Sequence, residues 1–306
     1  MKYLSSIHLP RIDYKKLALW AVALASILLI VSSYLAYTRL YLTPERRFWN
    51  AINNNLALPS VVRTVEQGGT GNKSIDTTRF TFGAQAVQDK VSSVSFKNAT
   101  AESNVTTETL STPTTQYVRY KNIFSTEKKS DGTDYHFDSI KDIWAKQDEA
   151  TDASGADNQR LSYLQPLITL APFGNLTPEA RQSIVAELKD GSYVIDFAHP
   201  AYQNNNGQKY VTYDVKVQTK KYVKALQDYF TAAGFGSFPP LDPSGYADSS
   251  TVSAKFTIEL KTNAIVGIQY NDQKELYSDF GVTKPVLIPT STIPLNELQG
   301  RLQAVQ

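Results

Sequence analysis

The chain has 306 residues, a formal net charge of +2 and no cysteine. The near balance of charge gives no composition-driven reason to bind nucleic acid. Without thiols there are no disulfides, thiolate metal sites, thiol catalysis or lipid-modified N-terminal cysteine.

Leu17 to Tyr37, LALWAVALASILLIVSSYLAY, is uncharged throughout. It has the length a helix needs to cross about 30 Å of hydrocarbon, and its apolar run is longer than the core of a secretory signal. Lys2, Arg11, Lys15 and Lys16 precede it, which favours a cytoplasmic N-terminus, and Tyr34, Tyr37 and Tyr41 fit an interfacial belt on the far side. The expected organisation is a short basic cytoplasmic segment (1–16), a transmembrane anchor (17–37) contacting the bilayer, and an extracytoplasmic domain (43–306). The expected location is the cell membrane, in a single pass.

A helix is predicted from Thr43, with Pro44 at its first position and Phe48, Ile52 and Leu56 on one face. Next comes VVRTVEQGGTGNKS (61–74), whose three glycines followed by Lys-Ser suggest a phosphate loop. A Walker loop needs lysine directly after glycine and a helix immediately beyond. Here Asn72 intervenes and the β-rich IDTTRFTFG follows, so a hairpin tip is predicted and nucleotide is excluded as a partner. Strands are predicted at TRFTFG, VSSVSF and QYVRYKNI, with KNATAESNVTTETLSTPTT between the last two as edge strand or exposed loop.

His136, in DGTDYHFDSI, is assigned to a surface hairpin, and His199 to a loop. DEATDASGADN (148–158) lacks calcium-loop spacing and is assigned to a solvated linker. A second helix is predicted from the cap Thr177, with NNNGQK (204–209) as another hairpin tip. Val211, Tyr213, Val215 and Val217 alternate strictly, as do Phe256, Ile258 and Leu260, and then Val266, Ile268 and Tyr270. An amphipathic helix through Val223, Leu226, Phe230 and Ala233 lies between the two alternating regions. Period two with one polar face means antiparallel sheet covered on one side. The fold class is therefore α+β: a curved antiparallel sheet, an open half-barrel, with helices on its concave face and one transmembrane helix in front.

No G-x-S-x-G or H-E-x-x-H motif occurs, and neither distal histidine has a nucleophile beside it in sequence. No catalytic residue, metal ligand or cofactor is predicted, and the expectation is a protein that is not an enzyme. The aromatic residues remain. Phe48, Trp49, Ile52, Phe80, Phe82, Phe96, Trp144, Tyr213, Phe230 and Phe256 are the candidates for a ligand cavity between sheet and helices. Val94, Val211, Val215, Ala254 and Gly267 are the small residues expected opposite them.

AKFTIELKTNAIVGIQYNDQKELYSDFGVTKPVLIP (254–289) resembles the closing hairpin of the LolA-like and LppX/LprG-type lipoprotein and lipid carriers. The matching positions run from Ile258 to Ile268, then Tyr277, Ser278, Asp279, Phe280, Gly281, Pro285 and Pro289. DIWAKQD around Trp144 is similar to another strand of that group. The resemblance implies a half-barrel plugged by helices and a lipid or acylated ligand. The chain departs from the group in having a helical anchor and no cysteine, and in extra length from about 125 to 190. Two functions follow: a tethered module for an acyl or lipoprotein ligand, or a tethered sensor or scaffold with a filled core that binds another envelope protein.

Overall fold

The computed structural model describes residues 14–36, 43–69, 71–83, 86–147, 163–236 and 241–305. The chain divides into two compact units, Met1–Arg47 and Phe48–Gln306. In the first, α1 runs Tyr14–Ala36. Its described side chains, residues 22–34, are all exposed. Among the described residues no helix is long and apolar enough to cross a membrane, so the anchor expected over 17–37 is unsupported on that ground. Residues 1–13 and 37–42, which complete the expected N-terminal segment, lie outside the described residues, as does the expected linker at 148–158.

The helix α2 (Pro44–Asn55) begins at Thr43, whose hydroxyl accepts from Arg46 N at 3.3 Å. In the second unit a thirteen-strand open sheet dominates, with only one parallel pair among its described ladders. Its first five strands form a meander: β1 (Ser60–Gly69), β2 (Asn72–Thr81), β3 (Val87–Lys97), β4 (Glu102–Ser111) and β5 (Gln116–Ser125). The short β6 (Ala145–Lys146) follows beyond β5. The other half is β7 (Tyr193–Ile195), β8 (Ala201–Asn205), β9 (Gln208–Gln218), β10 (Thr251–Glu259), β11 (Ala264–Tyr270) and β12 (Gln273–Ser278). β12 pairs with β1 and joins the halves, while β13 (Ile293–Pro294) closes the far edge against β6. The remaining helices are α3 (Pro178–Glu187), α4 (Thr219–Ala232) and α5 (Leu295–Val305).

The chain is thus α+β with an open, predominantly antiparallel sheet. The threonine-rich segment is not an edge strand, and only its ends, 98–101 and 112–115, are loop. It forms β4, between β3 and β5, because its β-branched residues suit a pleated, half-buried surface. Both glycine-bearing loops are hairpin tips. Gly69 pairs with Asn72 and Asn205 with Gln208, and the β8–β9 turn places Asn206 and Gly207 at φ 50° and 83°, the backbone such turns require. Lys73 and Ser74 lie in β2, with no helix after them.

The strict alternation in β9 holds, with Val211, Tyr213, Val215 and Val217 all buried. In β11 it breaks. Ile258 pairs with Ile265 while Thr257 pairs with Gly267, leaving Val266 as the extra residue of a bulge. The bulge reverses the phase, so Ile265 is buried in place of the expected Val266. Gly267 is turned to the uncovered face, where a Cβ would meet Leu276 and Thr257 rather than the aromatic residues.

Candidate functional site

One continuous cluster fills the covered face of the second unit, built from β1, β2, β7, β9–β12, the Phe48–Asn55 part of α2, α3 and α4. Phe48, Trp49 and Ile52 project into it from one face of α2, Tyr213 and Phe256 from neighbouring positions on β9 and β10, and Phe230 from α4. Phe80 comes from β2, and Phe82 packs against the cluster from just beyond it. The rings are in contact. Phe48 lies 5.3 Å from Tyr213, 5.2 Å from Trp49 and 5.8 Å from Phe256, and Phe80 lies 5.1 Å from Phe173. These are the edge and tilted geometries that buried aromatic pairs prefer.

Eight of the ten expected residues therefore converge, and two do not. Trp144 precedes Ala145, which takes the inward position of β6, so alternation turns the indole to the opposite face. There the Arg119 guanidinium lies 4.6 Å from its ring. Phe96 is half-buried eight residues beyond Gln88 on β3, roughly 26 Å along a strand and past the cluster. Val94, expected opposite the aromatic residues, is 50% exposed.

The centre of the cluster is a segment whose role its sequence does not announce. Residues 163–176, YLQPLITLAPFGNL, cross the covered face as α-helical backbone at 163–164, a 3₁₀ turn (Gln165–Leu167) and irregular backbone from 168 onward. Tyr163, Leu164, Leu167, Ala171, Phe173 and Leu176 are buried. A buried loop leaves carbonyls in need of donors, and side chains from the surrounding frame supply them. Gln88 donates to Tyr163 O at 2.6 Å, Arg63 to Pro166 O at 2.9 Å, and Asn55 to Pro172 O at 3.2 Å. Three tyrosine hydroxyls do the same: Tyr222 to Thr169 O, Tyr193 to Leu170 O at 2.5 Å, and Tyr229 to Phe173 O at 2.6 Å. Burial pushes the pKa of all three phenols up, which keeps them protonated as donors.

Beside this strap lies a buried ion pair. Arg63 Nε and Nη2 donate to the two Glu275 oxygens at 2.9 and 2.6 Å, while Nη1 holds Pro166 O. Tyr270 and Gln273 each donate to Glu275 at 2.9 Å, and Tyr277 donates to its other oxygen. Burial by itself would raise the Glu275 pKa. The Arg63 charge and the hydrogen bonds from Arg63, Tyr277 and Tyr270 outweigh it and hold the carboxyl below the usual range. The sequence contains a signal for this pair. Arg63 alternates with Val61 and Val65, and Glu275 with Tyr277, so each charged residue stands on the inward phase of its strand.

His136 is exposed beside the Lys128–Asp134 bridge of a surface hairpin. His199 lies in an exposed loop with Nδ1 2.8 Å from Asp196.

No family model matches the chain, and no curated protein matches it. Among solved structures it is similar to the crystal structure of LprF from Mycobacterium bovis, at 13% identity and a TM-score of 0.38, over 81% of this chain and 96% of that one.

Proposed function

We propose that the protein is a membrane-tethered, extracytoplasmic, non-enzymatic module that binds an acyl-bearing ligand on the covered face of its sheet. The observation that carries this reading is the strap. Six inward-aimed donors receive the carbonyls of an irregular segment wedged among aromatic rings. A multiply acylated ligand offers ester or amide carbonyls at the heads of its apolar chains, which such donors can take while the rings take the chains, so its place would be the one residues 163–176 occupy. Trp49, Phe48, Tyr213, Phe256 and Phe230 would then line the acyl chain once the strap has moved. Tethering is supported by the uncharged stretch 17–37 and the basic residues before it.

A second reading is favoured by the close ring contacts. In that reading the covered face is a filled core, and the protein engages an envelope partner through its outside.

Organic extraction of the purified full chain, followed by mass spectrometry, separates the two. The acyl reading expects about one acyl ligand per chain, lost in Ala254→Trp while circular dichroism shows the sheet retained. Ala254 is the smallest buried side chain of β10 in the cluster. A chain that extracts empty and takes up no fluorescent fatty acid overturns this reading in favour of the filled core. For the tether, protease added to intact cells is expected to remove everything beyond about residue 43. Full protection of the C-terminus would overturn the orientation.

A further inference from the structure

Away from the aromatic cluster, a groove of about 840 Å³ lies between two hairpin tips. One wall is the β1–β2 tip with Gln67, Asn72 and Lys73, the other the β11–β12 tip with Gln269, Asn271, Gln273 and Lys274, and β3 adds Val94 and Phe96. Gly68, Gly69, Asn72, Lys73 and Ser74 of the glycine-bearing stretch thus face a second loop rich in amides.

We propose that this groove binds a polyhydroxylated, carboxylate-bearing glycan, independently of any acyl ligand. Five carboxamides line one groove; Asn72, Gln269 and Asn271 each present a donor and an acceptor side by side, the arrangement that pairs with vicinal hydroxyls, while Gln67 and Gln273 are hydrogen-bonded to each other. Phe96 is half-buried and Val94 half-exposed, which gives the apolar surface that a sugar ring's C–H face needs. Lys73 and Lys274, on the strand phase opposite Phe96 and Val94, bring their positive charge to the groove from its rim against the single lining acid, Asp272, and neither lysine makes an ion pair among the described residues.

The groove is also held in shape from below. Gln273 donates to the buried Glu275 at 2.9 Å and to Tyr270 at 2.5 Å, and its oxygen accepts from Gln67 at 3.3 Å. The network uses both Gln273 N–H donors, so Gln273 shapes the wall of the groove and the ligand-facing amides are those of Asn72, Gln269 and Asn271. Gly68 adds rigidity to the first tip. At φ 113° its ideal Cβ would stand 2.1 Å from Asn72 O, so only glycine allows this approach.

The test is calorimetric titration of the detergent-solubilised full chain with three probes: hexagalacturonate, its full methyl ester and inorganic phosphate. Hexagalacturonate is expected to bind the native chain, with at least tenfold loss in Lys73→Gln/Lys274→Gln and in Phe96→Ala. The methyl ester should bind at least tenfold more weakly than the acid, and excess phosphate should not compete. Unchanged thermal melting would show that the variants remain folded. Failure of hexagalacturonate to bind, or equal binding by the double variant, overturns the proposal. Full competition by phosphate does the same, because it would mark a simple anion site. An empty result in the organic extraction leaves these outcomes unaffected.

Discussion

Glu275→Ala is expected to destabilise the folded unit by about 3–5 kcal/mol, read as a fall in the urea midpoint at unchanged slope. The carboxylate is fully buried and receives hydrogen bonds from Arg63, Tyr270, Gln273 and Tyr277. Alanine would leave the Arg63 guanidinium without its counter-charge in a low-dielectric site, together with orphaned phenol donors. The cost comes from that stranded charge, so Arg63→Met/Glu275→Leu should be markedly milder than the single change. A double variant as damaged as Glu275→Ala would refute the stranded-charge account.

The same residue sets an acid limit. Its folded pKa is depressed, so its contribution is fully present above the unfolded carboxylate value near 4.3 and is lost as pH falls through the lower folded value. Stability of the native chain should therefore decline more steeply below about pH 4 than that of Glu275→Gln. Parallel acid profiles would show that other carboxylates dominate.

Phe48→Ala is the second large effect, expected to cost about 3–5 kcal/mol. The Phe48 ring is fully buried and touches the rings of Trp49, Tyr193, Phe197, Tyr213 and Phe256. Those neighbours project from the sheet, from α2 itself and from the chain beyond β7, and cannot all close on one void. Phe48→Leu retains most of the volume and should cost well under half as much. Equal losses for alanine and leucine would mean that ring geometry, rather than filled space, carries the stability.

Much of this protein is determined by its sequence alone. Period-two alternation in β9 and β10 dictates an antiparallel sheet with one apolar face, because successive side chains must point to opposite sides. Thr177 starts α3 by accepting from Ala180 N, and Asn206-Gly207 makes the β8–β9 turn, because each is local chemistry. The tertiary structure decided what depends on contacts distant in sequence. It set the β11 bulge that exchanges Val266 for Ile265, and the pairing of β6 between β5 and β13 that places Ala145 inward and so turns Trp144 to the opposite face. It also set the end of the helical cover that leaves Phe96 in an open groove. The strap shows the difference best. Nothing periodic marks residues 163–176 as buried, and their backbone can be buried only because Arg63, Gln88, Asn55, Tyr193, Tyr222 and Tyr229 bring donors to it from six other places in the chain.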